Sequence, residues 1–266
     1  METAATQAAL LFRIVEAMQV PCGYERSFKM LPGRLLANRF LLGINTEHLT
    51  REKLLDVCRQ IDMPEAYLES FAAQLADANL VFLGFEDNEP GCLYKVYLEF
   101  WEKVRRDVQA DPDQREPALL HLGFKWRTDD PAQGAVDRYV CYPLLSTEEI
   151  SKRLADVYQG HEDRSSWEVA EALVRFAAGR SADRSLIYLE VTEEDHPRRS
   201  FDINLYKANF RIGEIRSLLW RVCRHYSIPD QRVGRLYREV GNKLFGHLSG
   251  GVDREGRDYL TVYYEM

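Results

Sequence analysis

Five times along this 266-residue chain, one or two helical segments are followed by two alternating segments joined by a short turn. The paired segments are 22–44 with its turn at 31–34, 80–101 with a turn at 87–91, and 118–145 with a loop at 128–135. They continue with 185–207, turning at 194–199, and 245–265, turning at 253–256. Helical spacing covers 5–19, 50–60, 64–78, 102–109, 147–158, 166–178, 212–226 and 230–243, with breaks at Asp62-Met63-Pro64 and Ile228-Pro229. Ser146 with Glu149, and Ser165 with Glu168, have capping-box spacing, and Gly179 suits a stop after the second of these helices. The unit recurs in architecture without a strict sequence period. Ten antiparallel strands are enough to close a barrel, which leaves no free sheet edge. The alternative is a two-layer α+β sheet whose polar faces meet water. Helices that alternate with every hairpin, and do not gather at one end of the chain, favour the barrel.

The strand faces give this barrel a direction. Successive side chains on a strand point to opposite faces. Tyr94, Val96, Leu98 and Phe100 oppose Lys95, Tyr97 and Glu99; Leu120, Leu122, Phe124 and Trp126 oppose His121, Gly123, Lys125 and Arg127. Ile187, Leu189 and Val191 oppose Leu186, Tyr188 and Glu190, and Leu260, Val262 and Tyr264 oppose Thr261, Tyr263 and Glu265. If helices cover the outside, the apolar faces turn outward and the lumen is polar. In the first hairpin Leu35, Ala37, Arg39, Leu41 and Gly43 share one face of the return strand, while Leu36, Phe40, Leu42 and Ile44 share the other; Glu25, Ser27 and Lys29 share a face of the outgoing strand. A lone arginine on so apolar a strand needs a partner or a ligand, because unpaired charge is costly away from water.

A net charge of −7 and a pI near 5.5 argue against a general nucleic-acid binder. Five cysteines without a Cys-x-x-Cys pair fit reduced thiols in a cytoplasmic protein. The N-terminal segment lacks the basic stretch of a signal peptide, and no run of about 18 apolar residues exists to span a membrane. The absence of low-complexity stretches and long Gly/Ser linkers favours one domain over residues 1–266. Asp129-Asp130-Pro131 lacks the third acid of an Asp-Asp-x-x-Asp metal motif, and the six histidines form no His-Glu-x-x-His pattern, so no protein metal site is expected. Gly250-Gly251 precedes no helix and is not a phosphate loop.

A lumen holding Arg39, Lys95 and Lys125 with little anionic balance, and Tyr97, Tyr188 and Tyr263 beside them, combines an anion seat with aromatic faces. Aromatic faces stabilise a cation by about 0.5–2 kcal/mol each. Ionisation of an allylic diphosphate needs both, and a closed barrel keeps water from the cation. Glu25 is then placed to accept the nucleophile's proton.

The same segments resemble the ABBA aromatic prenyltransferases, whose ten-stranded PT barrel is ringed by helices, and more specifically the cyanobactin prenyltransferases, which modify ribosomally made peptides. Glu25, Arg39 and LLANRFLL resemble that family's first hairpin, GFEDNEPGCLYKVYLEF its second, and HLGFKW with the strand reaching Tyr142 its third. RSLIYLEV with FDINLYKANFR resembles the fourth, and GGVDREGRDYLTVYYEM the tyrosine-rich last strand. Lys125, Tyr97 and Thr261 depart from the pattern: an acidic or neutral group, a histidine and a basic group respectively are common there. The resemblance implies Glu25 as the acid beside the acceptor. It implies Arg39, Lys95, Lys207 and several tyrosines around the diphosphate. With the lumen faces added, the expected diphosphate set is Arg39, Lys95, Tyr97, Lys125, Tyr142, Lys207 and Tyr263, and Tyr188, Leu186, Tyr206, Asn204 and His247 are expected to line the prenyl and acceptor pocket. By alternation Lys207 shares the outward parity of Ile203 and Leu205, leaving Asn204 and Tyr206 as the inward residues of that strand.

The expectation is therefore an α+β protein built on a PT barrel with a polar lumen. It transfers a dimethylallyl or geranyl group from an allylic diphosphate to a side chain of a ribosomally made peptide. No tightly bound cofactor is expected, though Mg²⁺ can accompany the diphosphate in this family. The chain is expected to act as a monomer, without nucleic acid or membrane as partner. The alternatives are a small-molecule aromatic prenyltransferase, or a non-catalytic barrel binding a hydrophobic or phosphorylated ligand; the latter has no need of Glu25.

Overall fold

The computed structural model describes residues 3–88, 91–111, 115–161, 164–180 and 186–266, apart from the side chain of Arg198. Ser185 and the tip of the second turn, residues 89–90, lie outside the described residues. Helix α1 (Ala4–Met18) precedes the first hairpin, β1 (Gly23–Leu31) and β2 (Arg34–Asn45). Helices α2 (Arg51–Gln60) and α3 (Glu65–Gln74) lead to β3 (Leu80–Asp87) and β4 (Cys92–Glu99). Then come α4 (Trp101–Ala110), β5 (Ala118–Arg127), β6 (Gly134–Tyr142), α5 (Thr147–Val157), α6 (Ser165–Ala178), β7 (Ile187–Glu193) and β8 (His196–Asn204). Two 3₁₀ turns, Tyr206–Ala208 and Ile212–Ile215, precede α7 (Arg216–His225), α8 (Asp230–Val240), β9 (Phe245–Val252) and β10 (Asp258–Glu265).

Each strand pairs antiparallel with its sequence neighbours, and β10 pairs with β1 from Glu25↔Glu265 to Met30↔Leu260, closing a ten-stranded barrel. The five hairpin turns therefore lie at one end. The helical connections lie at the other, with both chain termini. Helices cover the outer wall as the strand faces require. Phe28, Val262, Tyr264, Phe201 and Ile203 pack against α5–α8, and Leu42, Leu83, Val96, Phe124 and Trp126 pack against α1–α3. Each such buried side chain contributes about 1.5–3 kcal/mol of transfer free energy. Trp126 satisfies its buried indole by donating Nε1–H to the Ile61 carbonyl at 3.2 Å.

Three irregularities re-aim side chains. The β1–β2 register shifts between Ser27 and Lys29, so Ser27 faces Arg39 while Lys29 faces Leu36. One extra residue on β2 sends Leu35 and Ala37 outward into the helical core, away from Arg39, contrary to strict alternation. A bulge on β5 turns Leu120 to the lumen beside His121, where alternation alone placed it outside. A third, on β9, keeps Phe245 outward and His247 inward, with Gly246 as the extra residue. At the helix ends, Ser146 and Glu149 form the expected capping box. The second box does not form. Ser165 is already helical behind an Arg164 N-cap, and Glu168 turns to an ion pair with Arg221.

Candidate active site

Inward-facing charges meet at the barrel waist. Arg39 on β2, Glu86 on β3 and Lys95 on β4 are 4%, 7% and 6% exposed. Glu86 bridges the two cations, taking ion pairs from the Arg39 guanidinium and the Lys95 ammonium through the same Oε1. Arg39 Nε also donates to Ser27 Oγ at 3.3 Å, while its Nη1 is buried with no hydrogen-bond partner. Lys95 faces Lys125 across the β4–β5 ladder, and Lys125 pairs with the buried Asp137 of β6. The expected cations are thus together inside the barrel, but with two carboxylates among them, so the expectation of little anionic balance is corrected. Glu86 and Asp137 follow from the same alternation applied to 80–86 and 137–141, where each shares a face with a lumen residue.

Above this layer stand tyrosines. Lys125 Nζ is 6.0 Å from the Tyr97 ring centroid and 5.9 Å from that of Tyr139, and the two rings meet edge-on at 5.8 Å. Gly123, opposite Tyr97, makes room for this: a Cβ there would fall 2.6 Å from the Tyr97 ring. Tyr263 stands 6.0 Å from the His247 ring and completes the layer.

From the tyrosines toward the helical end runs a cavity of about 590 Å³, within the usual size of a small-ligand site. One wall, from β8, β9, β10 and β1, carries Asp202, Asn204, His247, Glu265 and Glu25; the facing wall carries Phe82, Trp101, Leu120, Ile187 and Leu189. His247 Nδ1 lies 2.9 Å from Asp202 Oδ1, and Tyr206 donates its hydroxyl to Glu25 Oε1 at 2.7 Å. Gly246 is what lets the Tyr206 ring lie against β9, since a Cβ there would meet its hydroxyl at 2.5 Å.

Electrostatics follow from these positions. Burial raises the Glu25 carboxyl above the usual range, opposed by the His247 charge and the Tyr206 hydrogen bond. Burial alone would lower His247, but Asp202, Glu25 and Glu99 outweigh it and hold the imidazole up at about 9. His121 loses that contest: burial takes it down to about 4. Lys95 is pushed well below its ordinary value by burial and by the charges of Lys125, Arg39 and Lys29. Burial also raises Tyr263 to about 12, against the pull of Arg39.

Among the expected site residues, Glu25, Tyr97, Asn204, Tyr206, His247 and Tyr263 line the cavity, with Arg39, Lys95 and Lys125 beneath it. Four others are elsewhere. Lys207 is exposed on the 3₁₀ turn beyond β8, because the strand ends at Asn204 and no bulge brings the lysine round. Tyr188 and Leu186 are buried outside the barrel against the α5–α8 core. The β6–β7 register, Tyr139↔Val191 and Cys141↔Leu189, turns Ile187 and Leu189 inward in their place. Tyr142 faces out with them, its hydroxyl 3.1 Å from Glu190 Oε2 and its ring 3.6 Å under the Arg153 guanidinium. Asp202, Tyr139, Glu99 and His121 are cavity residues that the expectation omitted from the site. Among the described residues, no group of three or more His, Cys, Asp or Glu could hold a metal ion. Glu86 and Asp137, the carboxylates at the waist, are each ion-paired with a cationic side chain. No helix is long and apolar enough to cross a membrane among the described residues.

No family model and no curated protein matches the sequence. Solved structures do match. The prenyltransferase PriB, bound to product diphosphate, superposes with a TM-score of 0.61 at 14% identity, over 98% of this chain and 90% of that one. The 5-dimethylallyltryptophan synthase of Streptomyces coelicolor gives 0.60 at 14% identity, over 91% and 81%. The 6-dimethylallyltryptophan synthase of Micromonospora olivasterospora, in complex with DMASPP and Trp, gives 0.58 at 16% identity, over 91% and 81%. The fold of this chain is that of the PT-barrel prenyltransferases: a closed ten-stranded antiparallel barrel ringed by helices.

Proposed function

We propose that this protein is a prenyltransferase that moves an allylic group, dimethylallyl or geranyl, from its diphosphate to a side chain of a peptide. The observation that carries the reading is the layering of one enclosed space: cations at the waist, tyrosine rings above them, and Glu25 beside the mouth. The diphosphate is assigned to the face of the waist layer. There Arg39 offers a buried N–H group without a partner, and an anion would offset the crowding of Lys95, whose ammonium is disfavoured by burial and by the charges of Lys125, Arg39 and Lys29. As the carbon–oxygen bond breaks, Tyr97, Tyr139 and Tyr263 face the allylic cation, each ring contributing about 0.5–2 kcal/mol. The closed wall keeps water from quenching it. Glu25 takes the proton that the nucleophile loses, and its raised carboxyl suits it to that exchange.

A peptide acceptor is supported by the rim. Gly23, paired with Gly43 across β1–β2, presents no side chain there, and a Cβ on it would meet nothing closer than 3.9 Å. A small aromatic acceptor is the second reading. It is favoured by the solved structures that hold tryptophan beside a thiolodiphosphate.

Incubation with dimethylallyl and geranyl diphosphates and a panel of peptides, together with free tryptophan, tests both readings by mass shift. Glu25→Gln should abolish transfer and leave thiolodiphosphate binding intact by titration calorimetry. Parallel loss of both would remove Glu25 as the proton acceptor, and binding of a donor without transfer to any acceptor would favour a non-catalytic barrel.

A further inference from the structure

The two cavity walls differ in kind, and the difference speaks to the acceptor. Among the described residues no lysine or arginine lines the cavity, whereas Glu25, Glu99, Asp202 and Glu265 all do. Among the described residues, the one cationic side chain on the polar wall is His247, and Asp202 already matches it. Glu25 and Glu265 are direct partners across the β1–β10 ladder, an arrangement in which like charges destabilise the pair. The opposite wall of Phe82, Trp101, Leu120, Ile187 and Leu189 has the surface a prenyl tail needs; His121 also stands on it, and its carboxylate, Glu99, already accepts from Asn79 Nδ2 at 3.0 Å. That leaves the acidic wall to the acceptor. A phenol or an indole there would leave the Glu25–Glu265 pair without a compensating cation, a cost that falls mainly on Glu25 because Glu265 is exposed. A cation offsets them.

Resting on the transfer reading above, we infer that the acceptor is an arginine side chain, whose guanidinium is held by Glu25, Asp202 and Glu265 on the polar wall. A guanidinium fits better than an ammonium for two reasons. Its five N–H donors diverge in one plane and reach carboxylates on separate strands, as these are. Its flat face also stacks on rings, and the Tyr206 and His247 rings, 5.4 Å apart, stand on the same wall. In the step itself, one guanidinium N–H proton passes to the Glu25 carboxylate. The freed nitrogen lone pair forms a bond to the allylic carbon as the carbon–oxygen bond breaks, and that electron pair leaves with the diphosphate. The products are an N-alkylguanidinium, still cationic, free diphosphate and protonated Glu25, which returns its proton to solvent or to the diphosphate.

The test uses pairs of short peptides, cyclic and linear, identical but for arginine or its neutral isostere citrulline at one position. Calorimetry is run with and without dimethylallyl thiolodiphosphate. The arginine peptide should bind at least tenfold more tightly, and the preference should shrink several-fold in Asp202→Asn and in Glu265→Gln. Glu265 is exposed, so the second variant removes a carboxylate at a site that tolerates change. Equal binding of the two peptides, or binding of neither, overturns the inference. So does alkylation of tyrosine or tryptophan peptides while the arginine peptide is untouched. Failure of the thiolodiphosphate to bind strikes the transfer reading instead, and the arginine-to-citrulline ratio measured without donor still decides the acceptor's charge.

Discussion

Tyr206 donates a 2.7 Å hydrogen bond to Glu25, tying the turn after β8 to β1 at the cavity mouth, 181 residues apart in sequence. The bond stabilises the ionised carboxylate. It therefore works against the burial that raises Glu25.

Tyr206→Phe should raise the Glu25 pKa further. A base works only when deprotonated, so the acid limb of a kcat/KM–pH profile should move to higher pH. The loss should be about tenfold near the old limb, the worth of a hydrogen bond to a charged group at the low end of ~1.5–3 kcal/mol. An unshifted limb would show that Glu25 is not the titrating base.

Much of this site is legible in sequence. Lys95-Val96-Tyr97-Leu98-Glu99 has polar residues on one parity and apolar ones on the other, and helices on the outside decide which parity looks in. The strand at 187–193 carries a contrast that points the wrong way. Ile187, Leu189 and Val191 alternate with Tyr188, Glu190 and Thr192, yet Glu190 points outward to Arg153 on α5. A rule that turns charge inward therefore selects the wrong face, and Tyr188 and Leu186 are misplaced with it. Lys207 fails for another reason: the strand stops three residues short of it, and strand ends are set by tertiary pairing rather than by propensity.

Glu86→Gln should move two quantities in opposite directions. It removes the carboxylate that bridges Arg39 and Lys95, so the fold should lose about 3–5 kcal/mol by denaturant titration. The two freed cations should bind the thiolodiphosphate more tightly. Lys95→Ala should weaken that binding by ~1–3 kcal/mol, and Lys207→Ala should leave it unchanged. Weaker donor binding in Glu86→Gln would place the diphosphate away from the waist.

Prenyl length should answer to β7's inward face. Ile187→Ala enlarges the apolar wall and should raise the kcat/KM ratio of geranyl over dimethylallyl diphosphate several-fold. Tyr188→Phe should leave the ratio unchanged, because that ring packs among the helices, and its buried hydroxyl has no hydrogen-bond partner to lose. A ratio that responds to Tyr188 and ignores Ile187 would reverse the assignment of faces.

His247 and His121 should shape stability in opposite ways. His247 is raised, so its contribution is complete below about pH 6.5 and is lost as pH climbs through about 9, with a ceiling near ~3 kcal/mol. His121 is depressed, so its contribution holds above about 6.5 and is lost as pH falls toward about 4. Against wild type, His247→Gln should flatten the alkaline fall in unfolding free energy, and His121→Gln the acid one. Parallel curves for wild type and either variant would contradict the corresponding shift.

The ion-paired waist also acts as a floor. Arg39, Glu86 and Lys95 fill the barrel's middle, and the residues lining the cavity all sit on the helical side of it. On the transfer reading proposed above, donor and acceptor would share that side of the floor. A diphosphate seated on it would have to enter before the acceptor and leave after the product, which predicts a compulsory-order kinetic scheme.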